Sequence, residues 1–345
     1  MSRGSLANAV LALGAAVAVV CAQPQPKTFF RDKIGLADSD FQKIDGGQVV
    51  TKLIDSGDTR YGILSFGAVY VDAPVAKFGA VFRDIEGLTK NKVYLAVQEF
   101  SINGISPKLS DFDRFTLENK DIDELRICKP GDCDIQSFDV EHFQKQVNWN
   151  APDKYAQANK AAREILYQGI NAYLQGGLKA WGSYRDRAKP LNLYAATKSM
   201  IDSSYYLPQD TAGGIYHEVL DYPREKLAEA EDLFYWEKIN FGQDPTVRVS
   251  HLMLFPKGVG VVKFVAANLQ LYASRYMRVA LQMFYCVPDT ANPNRPGFYL
   301  IEMNDSRMPD FGTLKLAIVR KVANGKAVDA TRDTLTMYQR MLNAK

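Results

Sequence analysis

Three histidines are available for acid–base or metal chemistry in this chain: His142, His217 and His251. Their separations do not suit a shared metal, and none forms a helical His-x-x-x-His pair, so no metal site is expected. His251 stands apart because Val247, Val249, Met253 and Phe255 alternate with it on one face of an apolar segment. An imidazole in that setting is a general base, a polar anchor for a ligand head group, or a core histidine bonded to backbone or a tyrosine. Aromatic residues give a second signal. Phe264, Tyr272, Tyr276, Phe284, Tyr285, Phe298 and Tyr299 crowd the C-terminal third, with Phe66 and Tyr70 earlier. They either pack a closed core or line a ligand pocket with hydroxyls as orienting groups, and alternation is the same in both cases. Arg275, Arg278 and Arg307 offer cations to an anionic head group, or form a rim with carboxylate partners. Asp111, Asp113, Asp121 and Asp123 lack the glycine and closing Glu of a calcium loop and read as capping residues. No Gly-x-Ser-x-Gly elbow, phosphate loop or dinucleotide fingerprint is present, and Gly258-Val259-Gly260 lacks the third glycine, so no cofactor is expected.

The elements that must position these residues alternate between strand and helix patterns. Residues 49–54 and 61–71 read as a hairpin about the turn signal Asp55-Ser56-Gly57-Asp58, the second strand being apolar on both faces and so covered on both. Asp72-Ala73-Pro74 opens a helix to about residue 85, and 93–100 reads as a strand. Residues 121–128 form a short helix, and Asn150-Ala151-Pro152-Asp153 caps a long one that Gly176-Gly177 ends. The stripe Leu227, Ala230 and Phe234 predicts a further helix over 223–236. Strands follow at 247–255, 261–271, 279–287 and 298–303. The chain closes with helical patterns over 311–322 and 328–342, broken near Asn324-Gly325, with Thr331, Leu335, Tyr338 and Leu342 on one face. Strands grouped apart from helices predict an α+β protein with an antiparallel sheet.

Of the 345 residues, 47% are hydrophobic and 23% charged, the proportions of a folded globular chain, which excludes disorder and low-complexity classes. The 42 basic and 39 acidic residues leave a net charge of +3, which gives no electrostatic footprint for nucleic acid. Residues 1–22 read as a secretory signal peptide: Arg3 supplies the positive end, residues 6–20 the apolar run, and Val20-Cys21-Ala22 the small residues for cleavage after Ala22. Val20 before Cys21 disfavours a lipoprotein reading. An exported, periplasmic protein is therefore expected, and an oxidising compartment favours disulfides. Cys128 and Cys133 flank Pro130-Gly131, a turn able to bring the two sulfurs together as a structural staple, while Cys286 in an apolar run reads as a buried thiol.

The segment from Gly67 through Ala73-Pro74 to Phe78, ending Phe82-Arg83-Asp84-Ile85-Glu86, resembles the opening of START-like (SRPBCC) proteins. Phe298-Tyr299-Leu300-Ile301-Glu302 followed by a long helix resembles their close. The resemblance implies a helix-grip fold, a curved antiparallel sheet gripping a C-terminal helix, with an apolar cavity between them. In that frame residues 23–345 form one START-like domain with a helical insertion at about 136–245. The chain is also similar to a group of uncharacterised exported bacterial proteins. That similarity rests on the 128–133 loop, the 150–175 helix with its Gly-Gly, and Asp232-Leu233-Phe234-Tyr235-Trp236. What the superfamily implies is binding of a lipid or other hydrophobic small molecule, with His251, Phe264, Tyr272, Tyr276, Phe284, Tyr299 and Arg275 as candidate ligand contacts. A cyclase or isomerase using the same cavity, with His251 and a carboxylate as acid–base pair, is the alternative. An envelope protein binding a partner through the helical insertion is another. The superfamily carries no shared catalytic motif, so no catalytic residue is transferred.

Overall fold

The computed structural model describes residues 26–100, 107–129, 131–133, 136, 139–203, 214–240, 244–258, 262–289, 292, 294–310 and 313–344, and the signal peptide expected over 1–22 lies outside them. Two short helices, α1 (Pro26–Asp32) and α2 (Asp38–Asp45), precede the expected hairpin of β1 (Val50–Ile54) and β2 (Gly62–Val71). Helix α3 (Ala76–Arg83) and strand β3 (Tyr94–Glu99) follow as expected. The middle of the chain supplies α4 (Asn119–Ile127), α5 (Val140–Gln146), α6 (Lys154–Trp181), the small strands β4 (Ser183–Tyr184) and β5 (Leu191–Asn192), α7 (Leu193–Ser203) and α8 (Ile215–Asp221). Strands β6 (Glu231–Ile239), β7 (Thr246–Phe255), β8 (Phe264–Ala273), β9 (Val279–Pro288) and β10 (Phe298–Arg307) then lead into α9 (Thr313–Asn343).

The fold is α+β around an eight-stranded antiparallel sheet in the order β1-β2-β10-β9-β8-β7-β6-β3. Strand β2 is buried at all ten positions, because both faces of the sheet are covered. On one face lie α3 and α9, packed on Val69, Leu252, Phe264, Phe284 and Leu300. On the other lie the helical layer and α1–α2, packed on Phe66, Phe234, Met253, Leu269 and Tyr285.

Two expectations are corrected. The helix expected over 223–236 is instead a turn leading into β6, which pairs with β7 from Glu231 to Ile239. Of its stripe only Phe234 lies in the strand, while Leu227 and Ala230 pack from the preceding turn on the same cluster, a spacing that periodicity does not separate from a helix. Part of the stretch expected as a helical insertion therefore belongs to the main sheet. The break expected at Asn324-Gly325 is absent, since α9 runs unbroken for 31 residues. One glycine costs a helix interior only about 1 kcal/mol, which the flanking turns absorb. The expected end of α6 is borne out in part: Gly177 leaves helical geometry at φ 65°, and one more turn carries the chain to Trp181.

Thr331, Leu335, Tyr338 and Leu342 are all buried, as their shared helical face requires. Gly67 explains how closely α9 approaches. A side-chain carbon there would lie 2.5 Å from Leu335 Cδ1 and 2.6 Å from Thr331 Cγ2. Ser65, two residues earlier on the same face, meets Thr331 hydroxyl to hydroxyl at 2.8 Å. The first half of α9 sits differently. None of residues 317–330 is buried, and Ile318 and Val322 are 71% and 49% exposed.

Candidate functional site

His251 lies on the face of β7 turned towards the helical layer, fully buried. Its Nε2 is 2.9 Å from Asp232 Oδ1 and its Nδ1 is 2.8 Å from the Tyr173 hydroxyl. Burial lowers the imidazole pKa by more than Asp232 raises it, so the ring is held neutral. Burial raises the Asp232 carboxyl, but its contacts with His251 and Lys226 outweigh that and hold it low. An ionised carboxylate only accepts, so Nε2–H donates to Asp232 and Nδ1 accepts from Tyr173. Phe234 stacks on the ring at 4.1 Å and Tyr222 closes it edge-on at 4.6 Å. A carboxylate partner is present, but the imidazole is enclosed by protein and acts as a core polar bridge.

The other candidate residues do not gather in one place. Tyr272 and Tyr299 belong to the same face as His251, the first donating to the Gln136 carbonyl at 3.0 Å and the second to Asp45 Oδ1 at 2.7 Å. Tyr276 sits in the β8–β9 turn at φ 70°, its hydroxyl accepting from the Asp244 amide. Arg275 pairs with Asp121 at 2.5 Å and Glu124 at 3.1 Å. Arg278 pairs with buried Asp186, and Arg307 with Asp305 and Asp58. All three arginines therefore have carboxylate partners. Phe264 and Phe284 alone reach the face beneath α3 and α9, where Phe264 meets Phe78 at 4.8 Å and Phe284 meets Tyr338 at 5.2 Å. Cys128 and Cys133 stand at disulfide distance, 2.06 Å, and Cys286 is a buried thiol.

A polar group that sequence reasoning missed occupies that same face. By register, Tyr235 and Glu237 on β6, Arg248 on β7, Asn268 on β8, Gln282 on β9 and Glu302 on β10 point to the side of Leu252, Ala266, Phe284 and Leu300. Arg248 Nε donates to Glu237 Oε1 at 2.7 Å. Asn268 Nδ2 donates to the Tyr235 hydroxyl at 2.8 Å, and Gln282 Nε2 donates to Glu302 Oε1 at 2.7 Å. Glu237 and Glu302 are fully buried, whereas Tyr94, Arg248, Asn268, Gln282 and Asn304 remain half-buried. Burial pushes the Glu302 carboxyl up to about 8, with Gln282 opposing. Burial also raises Glu237, against Arg248. The Tyr338 phenol, raised first by burial, is raised further by Tyr94, Tyr235, Glu302 and Glu237, so these groups surround one region under α9. The available signal was a glutamate inside the apolar run from Phe298 to Met303.

Two pockets lie elsewhere. One of about 30 Å3 sits between the sheet and the helical layer near Phe115, Gln136 and Tyr272. A larger one, about 320 Å3, is lined by Gln175, Gly176, Lys179 and the 220–224 segment. Among the described residues no three His, Cys, Asp or Glu side chains are placed to hold a metal ion, and no helix is long and apolar enough to cross a membrane. No family model, no curated protein and no solved structure matches this chain.

Proposed function

We propose that the chain binds a hydrophobic small molecule, a lipid or a compound of similar character, on the sheet face beneath α9, in the manner of an exported helix-grip protein. The observation that carries this reading is the pairing of buried apolar side chains with half-buried polar ones on that one face. Leu252, Phe284 and Tyr338 offer an apolar bed, and Arg248, Asn268 and Gln282 stay within reach of solvent beside them. Ligand sites combine an apolar lining with a few convergent polar groups in this way. The unburied first half of α9 supports access from that side. The leader and the cysteine pair support a periplasmic location. His251 is closed in by Tyr173, Tyr222 and Phe234 on the opposite face of the sheet, so the acid–base alternative lacks the histidine it calls for at this site. The described residues of 136–245 include no strongly exposed large apolar side chain, which gives the partner-binding reading no support.

The test is titration with the neutral dye N-phenylnaphthylamine. The expected result is saturable binding with one dye per chain, lost in Asn268→Trp, which puts a bulkier side chain beside Tyr235 on that face. Absence of saturable binding, or equal binding by Asn268→Trp, overturns the reading.

A further inference from the structure

We infer that the head group recognised beneath α9 is a hydrogen-bond-donating cation, an amine or primary ammonium, carried on the apolar body proposed above. The inference rests on that ligand-site reading and adds the chemistry of the head group.

Two buried acceptor atoms on this face, Glu237 Oε2 and Asn268 Oδ1, have no hydrogen-bond partner among the described residues, and neither has Glu302 Oε2, which carries the carboxyl proton until a cation stands beside it. Their companion atoms are all engaged: Glu237 Oε1 by Arg248, Glu302 Oε1 by Gln282, and Asn268 Nδ2 on Tyr235. These contacts leave Glu237 Oε2 and Asn268 Oδ1 over as acceptors. A buried acceptor without a donor is costly, about 1–3 kcal/mol in a protein interior, so a ligand supplying N–H groups gains from each one it satisfies. Charge points the same way. Two carboxyls face this region with one guanidinium between them, and no described cation pairs with Glu302. An ammonium beside Glu302 would restore the ionised carboxylate that burial disfavours. A carboxylate head group would instead meet the Glu237 Oε2 and Asn268 Oδ1 acceptors with no hydrogen to offer them.

The experiment is displacement of N-phenylnaphthylamine from the wild-type chain at pH 7 by decylamine, decanol and sodium decanoate, which share one tail. Decylamine is expected to displace the dye at a concentration about tenfold below decanol, the size of one charge-assisted hydrogen bond, with decanoate weakest. In Glu302→Gln the amine-over-decanol ratio is expected to fall below about threefold. Decanol equal to decylamine, or decanoate the strongest, overturns the inference while dye binding keeps the ligand site standing. Failure of the dye itself to bind removes the ligand site and the head-group inference together. The wild-type comparison needs no variant, so misfolding of Glu302→Gln leaves the test decisive.

Discussion

Gln282 donates from Nε2 to Glu302 Oε1 across 2.7 Å, and through this bond a fully buried carboxyl is held by a neutral amide and by no cation among the described residues. The strand pairing makes the contact local, since Gln282 on β9 lies diagonally from Glu302 on β10. A carboxyl in that setting favours its protonated form.

Stability should therefore fall as pH rises. Folded Glu302 titrates at about 8, against an ordinary value of 4.5, so the folded chain keeps a proton that the unfolded chain releases. The stabilisation is fully present below the unfolded value and is lost as pH rises through the folded one. Asp305 and Glu218, each raised by burial to about 7, act in the same direction. Urea denaturation at pH 5, 6.5 and 8 should show a decline that Glu302→Gln flattens, each pKa unit being worth about 1.4 kcal/mol. An unchanged slope in the variant would contradict the assignment.

Tyr173→Phe removes the hydroxyl that donates to His251 Nδ1 and leaves that buried nitrogen without a donor among the described residues. The expected cost is about 1–3 kcal/mol by equilibrium denaturation. A change within error of zero would mean that Nδ1 finds another donor.

Gly67→Ala should loosen the second half of α9, because the added carbon meets both Leu335 and Thr331. Overpacking of this kind costs about 1–3 kcal/mol. Hydrogen exchange should show faster amide exchange over residues 331–342 than in wild type, with the helical layer unaffected.

Reduction of the Cys128–Cys133 pair should be mild. The loop closed by a separation of five residues is short, and the chain-entropy model assigns such a crosslink about 2 kcal/mol. Thermal melts with and without a reductant measure it, and a loss several times larger would mean that the loop anchors more than itself.

Much of the architecture was legible because it follows from residue patterns. The hairpin announced itself through Asp55-Ser56-Gly57-Asp58, and the buried face of α9 through Thr331, Leu335, Tyr338 and Leu342. Strand β6 was misread because Phe234 and Trp236 pack on one sheet face while Tyr235 packs on the other, so no alternation marks it. The candidate site was hardest to see. Glu237, Arg248 and Glu302 come from three strands and converge only through strand register, which no local spacing encodes. His251 was noticed for its apolar neighbours, yet its partners Tyr173 and Asp232 come from a helix 78 residues away and a strand 19 residues away.

Native mass spectrometry of the chain purified from the cells that make it, followed by organic extraction, tests the central claim most directly. The account predicts a noncovalent adduct of a few hundred daltons on the wild-type chain, extractable as an apolar compound bearing an amine, and absent from Asn268→Trp. A bare wild-type mass, from a protein that also fails to bind N-phenylnaphthylamine, would contradict it.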